Sequence, residues 1–293
     1  MHWSGHLNKA IKTKINLASF TSFRIGGRAK YFFEPQNLKA LQEALVIARH
    51  NGLDVFILGA GSNILVSDKG LDGLVIRLSS RDFRKCSCQG SCVVAWSGLK
   101  LNEFISFSKK NNLSGSEFLV GIPGTLGGSL MGNAGAWGSS IGELVKQVGV
   151  LDYSGKLKLL TSQQLKFAYR KSNLNKYIII WAKLKLHAAP KKVILTKINE
   201  YLSRRKQSYG HNLLSAGCIF KNPSLGSAGR LVDACGLKGK AKGGAVISKR
   251  HANFILNTAK AKSKDVLSLM DLMQKKVWEK FKINLEPEIK IWK

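Results

Sequence analysis

Apolar positions recur along the chain at two spacings, and the alternation between them sets out the elements. Leu38, Leu41, Leu45 and Ala48 share one helical face, so the pattern predicts a helix with Asn37 as N-cap and Gly52 as its stop. Residues 55–58 read as a buried strand, GAGSN as a tight turn and residues 64–66 as a second strand. Upstream, NLASFTSFRIGGRAKYFFEP is strand-like and broken by Gly26 and Gly27. Strands continue over residues 74–78 and CVVAWSG, and a short amphipathic helix spans residues 100–112. VKQVGVLDYSGKLKLLT predicts a hairpin, SQQLKFAYRKS a helix ending near Tyr169, and residues 177–186 a strand with one wet face. Pro190 marks a boundary before a basic helix over residues 191–207. The last hundred residues predict a turn and short strand at SAGCIFKNP, a helix at AGRLVDACGLKG, and strands at GGAVIS and ANFILN. A long helix capped by Ser263 follows, with Met270 and Met273 as core filler, and then the strand LEPEIKIW. At GAGSN the glycine turn leads into a strand, whereas the dinucleotide fingerprint of doubly wound folds leads from glycines into a helix.

In the middle of an apolar domain lies GIPGTLGGSLMGNAG, residues 121–135, with six glycines in fifteen residues. Glycine at this density permits positive φ angles and close approach of backbone to a ligand. Successive amides in such turns form anion-binding nests, and phosphate is the usual guest. Ile122, Leu126, Leu130 and Met131 are interleaved with the glycines, which argues against a solvated linker.

Composition narrows the classes. The 293 residues carry 47 Lys and Arg against 17 Asp and Glu, a formal net charge of +30. The basic residues are scattered rather than gathered into a stripe, which argues against a nucleic-acid binder and suits the steering of anionic substrates. No apolar run approaches the roughly 20 residues of a membrane span, and the N-terminus lacks the apolar core of a signal peptide; a cytoplasmic protein with no membrane insertion is expected. Five cysteines, an odd number without a secretory signal, make structural disulfides unexpected. Cys86, Cys88 and Cys92 read as part of two strands around a Gln-Gly-Ser turn, since no matching pair completes four metal ligands. No metal is expected.

FTSFRIGG, LGAGSNILVSDKG, GIPGTLGG followed by NAGAWG, FAYRKS, SAGCIFKNP, GLKGKAKGGAVIS, HANFILN and LEPEIKI occur in this order over nearly the whole chain. Together they resemble the UDP-N-acetylenolpyruvoylglucosamine reductase family, flavoenzymes of peptidoglycan precursor synthesis. The resemblance implies an α+β protein with a vanillyl-alcohol-oxidase-type FAD-binding domain and a smaller αβ substrate-binding domain. Residues 1–189 would form the FAD-binding region, in two subdomains split near residue 70. Residues 190–293 would form the substrate domain, the last strand packing back toward the N-terminal region. It also implies noncovalent FAD held by Gly59, Ala60, Gly61, Ser62, Asn63 and Ile64 around the diphosphate. Gly121, Ile122, Pro123, Gly124, Thr125, Gly128, Asn133, Ala134 and Gly135 would line the rest of the dinucleotide.

The implied reaction has two halves: NADPH reduces FAD, and reduced flavin then delivers hydride to the enolpyruvyl ether of UDP-N-acetylglucosamine. The second half builds an enolate and requires a positioned acid. By resemblance, Arg170 braces the carboxylate and enolate, for which a guanidinium offers two parallel N–H donors. Read alone, Arg170 would be a helix C-terminal cation and Glu288 a solvated acid. The motif promotes Glu288 over Glu286 as the residue assisting through the enol. Where most relatives carry serine as proton donor, this chain has Cys218; a thiol of reference pKa about 8.5 is protonated at neutral pH and can serve. Tyr169 is expected to bind substrate, Lys221 and Asn222 to contact substrate or nicotinamide phosphates, and Arg204, Arg205 and Lys206 to lie near the UDP diphosphate. A monomer is expected. Two other readings stay open at this point: an oxidase of the same FAD fold, and a basic polyanion binder.

Overall fold

The computed structural model describes residues 3, 7–209 and 213–293. The chain divides into two compact units, each assembled from separated segments. The first takes its residues from 1–13, 31–60 and 72–204, and the second from 14–30, 61–71 and 205–293.

In the first unit the helix Leu38–His50 forms as its apolar spacing requires. The Asn37 side chain accepts the Ala40 N–H at 3.0 Å, and Leu41, Ala44, Leu45 and Ala48 are buried. Gly52 ends the helix at φ +62°. Asp54–Leu58 then pairs in parallel with the strand Leu71–Arg77, Ile57 opposite Ile76. A five-stranded antiparallel sheet runs in the order Leu157–Thr161, Val145–Leu151, Ile178–Lys185, Cys92–Trp96, Cys86–Gln89. Its central strand is buried on both faces. Ile178 and Ile180 enter one core with Leu41, Leu45 and Ile76, while Ile179 and Ala182 enter another with Phe104, Leu126 and Val148. Full burial of each such aliphatic side chain contributes about 1.5–3 kcal/mol before chain entropy is counted.

Two segments depart from their sequence reading. SQQLKFAYRKS is not a helix: Phe167–Ala168 and Lys171–Ser172 form an antiparallel hairpin with Tyr169 and Arg170 at its turn. The Asn173 side chain closes this segment by accepting the Lys166 N–H and donating to the Gln164 carbonyl, both at 2.9 Å. Ser172 Oγ donates to the Met131 carbonyl at 2.8 Å, so bonds to a distant segment override a weak helical spacing. The glycine-rich stretch, in turn, is not one loop. It contains a helix, Leu126–Met131, and the two-residue strand Gly135–Ala136.

The second unit is built on the helix Ser263–Phe281, which buries Val266, Leu269, Met270, Met273 and Val277. Its core also holds Val232 from the helix Ala228–Ala234 and Ala245, Ile247 and Ile255 from a three-stranded sheet. Lys290–Trp292 pairs in parallel with Ile64–Val66. Only those three residues of LEPEIKIW are regular strand. The sequence assigned the cap of the long helix to Ser263, but Lys262 occupies the N-cap position and Ser263 is the first helical residue. The cap is supplied from elsewhere in the unit: Asp68 accepts the Ser263 N–H at 3.0 Å and its hydroxyl at 2.8 Å. Among the described residues no helix is long and apolar enough to cross a membrane.

Removing this remote cap has a measurable cost. Asp68→Ala is expected to destabilise the protein by about 1–2 kcal/mol, read as a lowered urea midpoint at unchanged m-value. An unchanged midpoint would show that the helix start does not depend on Asp68.

Candidate active site

In the first unit the end of one strand meets the start of a helix with almost no intervening side chain. A Cβ on Gly59 would lie 2.8 Å from Thr125 Oγ1, and that hydroxyl accepts the Gly128 N–H at 3.3 Å as the cap of the Leu126–Met131 helix. The Leu126 and Gly127 N–H groups are already bonded, to the Leu99 carbonyl at 2.8 Å and the Ser97 carbonyl at 2.9 Å. The first turn of this helix is therefore not the amide nest that glycine content alone predicts. What the glycines provide instead is clearance. Gly128 and Gly132, four residues apart on one helical face, would each meet nothing nearer than 3.5 Å if given a Cβ. Beside Gly127 of the same helix, Ser97 Oγ is buried with no hydrogen-bond partner among the described residues. A side-chain-free face and a spare buried hydroxyl fit a flat group of dinucleotide type. Ile122 and Ala134 pack against the hydrophobic core, and Gly121 adopts φ +73°. Pro123 is exposed and Gly124 half-buried.

The hairpin that replaces the expected helix brings Arg170 to the same stretch. Arg170 sits in the left-handed region at φ +54°, where a side chain other than Gly, Asn or Asp costs about 1–2 kcal/mol. Its Nη1 donates to the Gly135 carbonyl at 3.0 Å, and its guanidinium lies 5.4 Å from the ring of Tyr169, which is 56% exposed. Asn133, 6% exposed and also left-handed at φ +45°, donates from Nδ2 to the Ala168 carbonyl at 2.9 Å. Its Oδ1 accepts the Gly142 N–H at 3.0 Å.

The second unit gathers the remaining candidates. Gly61 takes φ +66°, and a Cβ there would fall 2.0 Å from the Phe20 carbonyl oxygen, so this turn admits only glycine. Asn63 is exposed, Ser62 is half-buried and Ile64 is buried, while Ala60, the last residue of its first-unit segment, is exposed. Asn63 donates from Nδ2 to the Glu288 carbonyl at 3.2 Å and accepts the Lys290 N–H at 3.0 Å. The segment carrying Cys218 lies beside the one carrying Glu288: Glu288 N–H donates to the Ile219 carbonyl, and Lys221 N–H to the Glu286 carbonyl, each at 2.8 Å. Lys221 also forms an ion pair with Glu286. That commitment separates the two acids of LEPE, leaving Glu288 as the half-buried one. Asn222 accepts the Ala228 N–H at 3.0 Å and thereby closes the turn into the next helix. Asn253 was absent from the sequence reading. It is 1% exposed and grips the backbone of Phe220 from both sides, accepting its N–H at 3.0 Å and donating to its carbonyl at 2.7 Å. It lies in the HANFILN block that carries the family resemblance, which by itself assigned it no role.

The cysteines differ in character. Cys218 and Cys235 are half-buried, and Cys88 is exposed. Burial, reinforced by the neighbouring Cys88, pushes the Cys86 thiol up to about 12. Among the described residues no group of three or more His, Cys, Asp and Glu is placed to hold a metal ion. With a thiolate fraction at pH 8 of roughly one in ten thousand, Cys86 is expected to resist iodoacetamide long after Cys88 is carboxamidomethylated. Peptide mass spectrometry checks this, and prior labelling of Cys86 would refute it.

Comparison with known proteins covers both units. Residues 29–161 match an FAD binding domain, and residues 207–292 match the UDP-N-acetylenolpyruvoylglucosamine reductase C-terminal domain. The UDP-N-acetylenolpyruvoylglucosamine reductase of Caldanaerobacter subterraneus subsp. tengcongensis is 40% identical over 273 residues, 92% of this chain and 90% of that one. Its counterpart in Synechococcus sp. is 39% identical over 289 residues, 97% of this chain and 92% of that one. The crystal structure of UDP-N-acetylenolpyruvylglucosamine reductase from Thermus caldophilus superposes with a TM-score of 0.84 at 34% identity, covering 97% of this chain and 99% of the other. A Phl p 4 variant described as a glucose oxidase reaches a TM-score of 0.51 at 18% identity over 62% of this chain and 42% of its own, a likeness of fold alone. On these matches, which run through the flavin-binding and the reductase-specific parts alike, the chain belongs to the UDP-N-acetylenolpyruvoylglucosamine reductase family.

Proposed function

We propose that the protein reduces the enolpyruvyl ether of UDP-N-acetylglucosamine to UDP-N-acetylmuramate, a step of peptidoglycan precursor synthesis, with NADPH as reductant and noncovalent FAD as carrier. The observation that carries this reading is the match of residues 207–292 to the reductase C-terminal domain. The FAD fold by itself is shared with oxidases, so the second domain is what weighs against oxygen as the electron acceptor. Within this reading the enzyme works as a cytoplasmic monomer. Residues 1–189 serve the flavin and residues 190–293 the sugar nucleotide.

Bound FAD would supply the hydride chemistry between NADPH and the terminal carbon of the substrate double bond. The chain's own residues manage the charge this creates. Arg170 offers its guanidinium to the substrate carboxylate as negative charge spreads into it from the adjacent carbon. Cys218 Sγ–H gives its proton to that carbon, and the thiolate left behind is reprotonated from solvent before the next turnover. Glu288, on the neighbouring segment, assists at the enol. Glu286, ion-paired with Lys221, stands outside the chemistry. Tyr169, Lys221 and Asn222 border the substrate; Asn222 does so from a turn that it also closes. Gly128 and Gly132 would leave the helix face clear for the flavin, and Gly59–Ile64 would hold its diphosphate.

Two expectations follow. Gly128→Val should fold, since its nearest neighbour leaves room and valine costs a helix no more than glycine. It should nevertheless purify with much less yellow flavin, and full flavin content would remove the bare face from the binding site. Cys218→Ser should keep turnover of the enolpyruvyl substrate within about tenfold, while Cys218→Ala should lose roughly 10²–10⁴-fold with flavin reduction by NADPH preserved. Full steady-state turnover in Cys218→Ala would place the proton donor elsewhere.

A further inference from the structure

Arg170 occupies a backbone conformation that its own residue type disfavours, so something else must hold it there. The hairpin carrying it is only two residue pairs long, Phe167 with Ser172 and Ala168 with Lys171, too short to fix its own turn. Three bonds tie it to the glycine-rich stretch. Ser172 Oγ donates to the Met131 carbonyl, Arg170 Nη1 donates to the Gly135 carbonyl, and Asn133 Nδ2 donates to the Ala168 carbonyl. The third differs in kind, because it comes from a buried side chain whose other end is also fixed. Asn133 Oδ1 accepts the Gly142 N–H, and Gly142 has no room for a side chain: a Cβ would sit 2.5 Å from Phe167 Cγ and 2.9 Å from Asn133 Oδ1. Asn133 itself stands at φ +45°, a region asparagine tolerates better than most residues.

We propose that Asn133 is a positioning residue for Arg170: its amide, held by Gly142, grips the Ala168 carbonyl at the base of the turn and sets where the guanidinium points. This assigns Asn133 to the enolate-stabilising half of the reaction rather than to flavin contact, and it rests on the role given above to Arg170. Both polar atoms of its side chain bond the protein's own backbone, Oδ1 at Gly142 outside the hairpin and Nδ2 at Ala168 within it. A carboxylate in the same place would keep the shape and the left-handed preference. It would accept the Gly142 N–H but set an oxygen against the Ala168 carbonyl.

Asn133→Asp is therefore the informative variant, compared with Arg170→Ala and with the double mutant, all as FAD-loaded proteins. Single-turnover absorbance separates flavin reduction by NADPH from flavin reoxidation by the enolpyruvyl substrate. The expectation is that Asn133→Asp slows reoxidation roughly 10- to 100-fold and reduction far less. In the Arg170→Ala background the same change should cost under about twofold, because interacting residues are not additive. Independently of turnover, amide hydrogen exchange over residues 167–172 should quicken in Asn133→Asp while the rest of the first unit keeps its protection. Equal slowing of both halves, loss of bound flavin, or an undiminished penalty without Arg170 would each overturn the proposal. If Arg170→Ala alone leaves reoxidation unaffected, the role of Arg170 fails first and takes the proposal with it. Should Asn133→Asp not fold, Asn133→Gly, which keeps the backbone freedom and deletes both bonds, carries the same comparison.

Discussion

A charged side chain in the left-handed region is a conformation that local physics disfavours and only surrounding bonds can maintain. The turn at Arg170 is such a place, and three bonds to the glycine-rich stretch sustain it. The helix Leu126–Met131 buries Leu126 and Leu130 against the antiparallel sheet, which fixes the backbone that follows. From there the Met131 carbonyl, the Asn133 side chain and the Gly135 carbonyl reach the hairpin in succession. The stretch thus does two things at once: the glycines at 128 and 132 keep one surface clear, and the residues between and after them hold a cation in place.

The second unit solves a related problem with the same chemistry. Residues 218–221 meet residues 286–288 through a single antiparallel bridge, Phe220 with Pro287, rather than a continuous ladder. Asn253 adds a second hold by bonding both polar groups of Phe220 from the other side, as Asn133 adds one to the hairpin base. Amides suit this task because one planar group both donates and accepts, and when buried it has no competing water. Asp68 performs a similar service at the head of the long helix, reaching it from a distant part of the sequence.

The contrast between these features explains what the sequence disclosed. Periodic elements were legible because their signal is local: Asn37 capping Leu38–His50, the Val145–Leu151 and Leu157–Thr161 hairpin, and the apolar stripe of Ser263–Phe281 all fall where spacing puts them. The hairpin at Tyr169 and Arg170 was misread because its determinants, Met131 and Asn133, lie more than thirty residues upstream. Ser263 was taken for a cap because nothing in its neighbourhood reveals Asp68. Glycine content announced a site at 121–135 but not its means, since the amides at 126 and 127 were already claimed by the carbonyls of Leu99 and Ser97. Arg170, Cys218 and Glu288 came from resemblance, whereas Asn253 and Ser97 required coordinates.

The bare face at Gly128 and Gly132 has a consequence for the protein's life in the cell. A surface stripped of side chains contributes little to the protein's own packing, so on its proposed role FAD binding would add to the stability of the folded chain. Mass action sets the amount: a ligand that binds only the folded state adds about 4 kcal/mol when its free concentration is roughly a thousand times its Kd. On the proposed role of this face, the fraction of folded chain would rise and fall with the free FAD concentration.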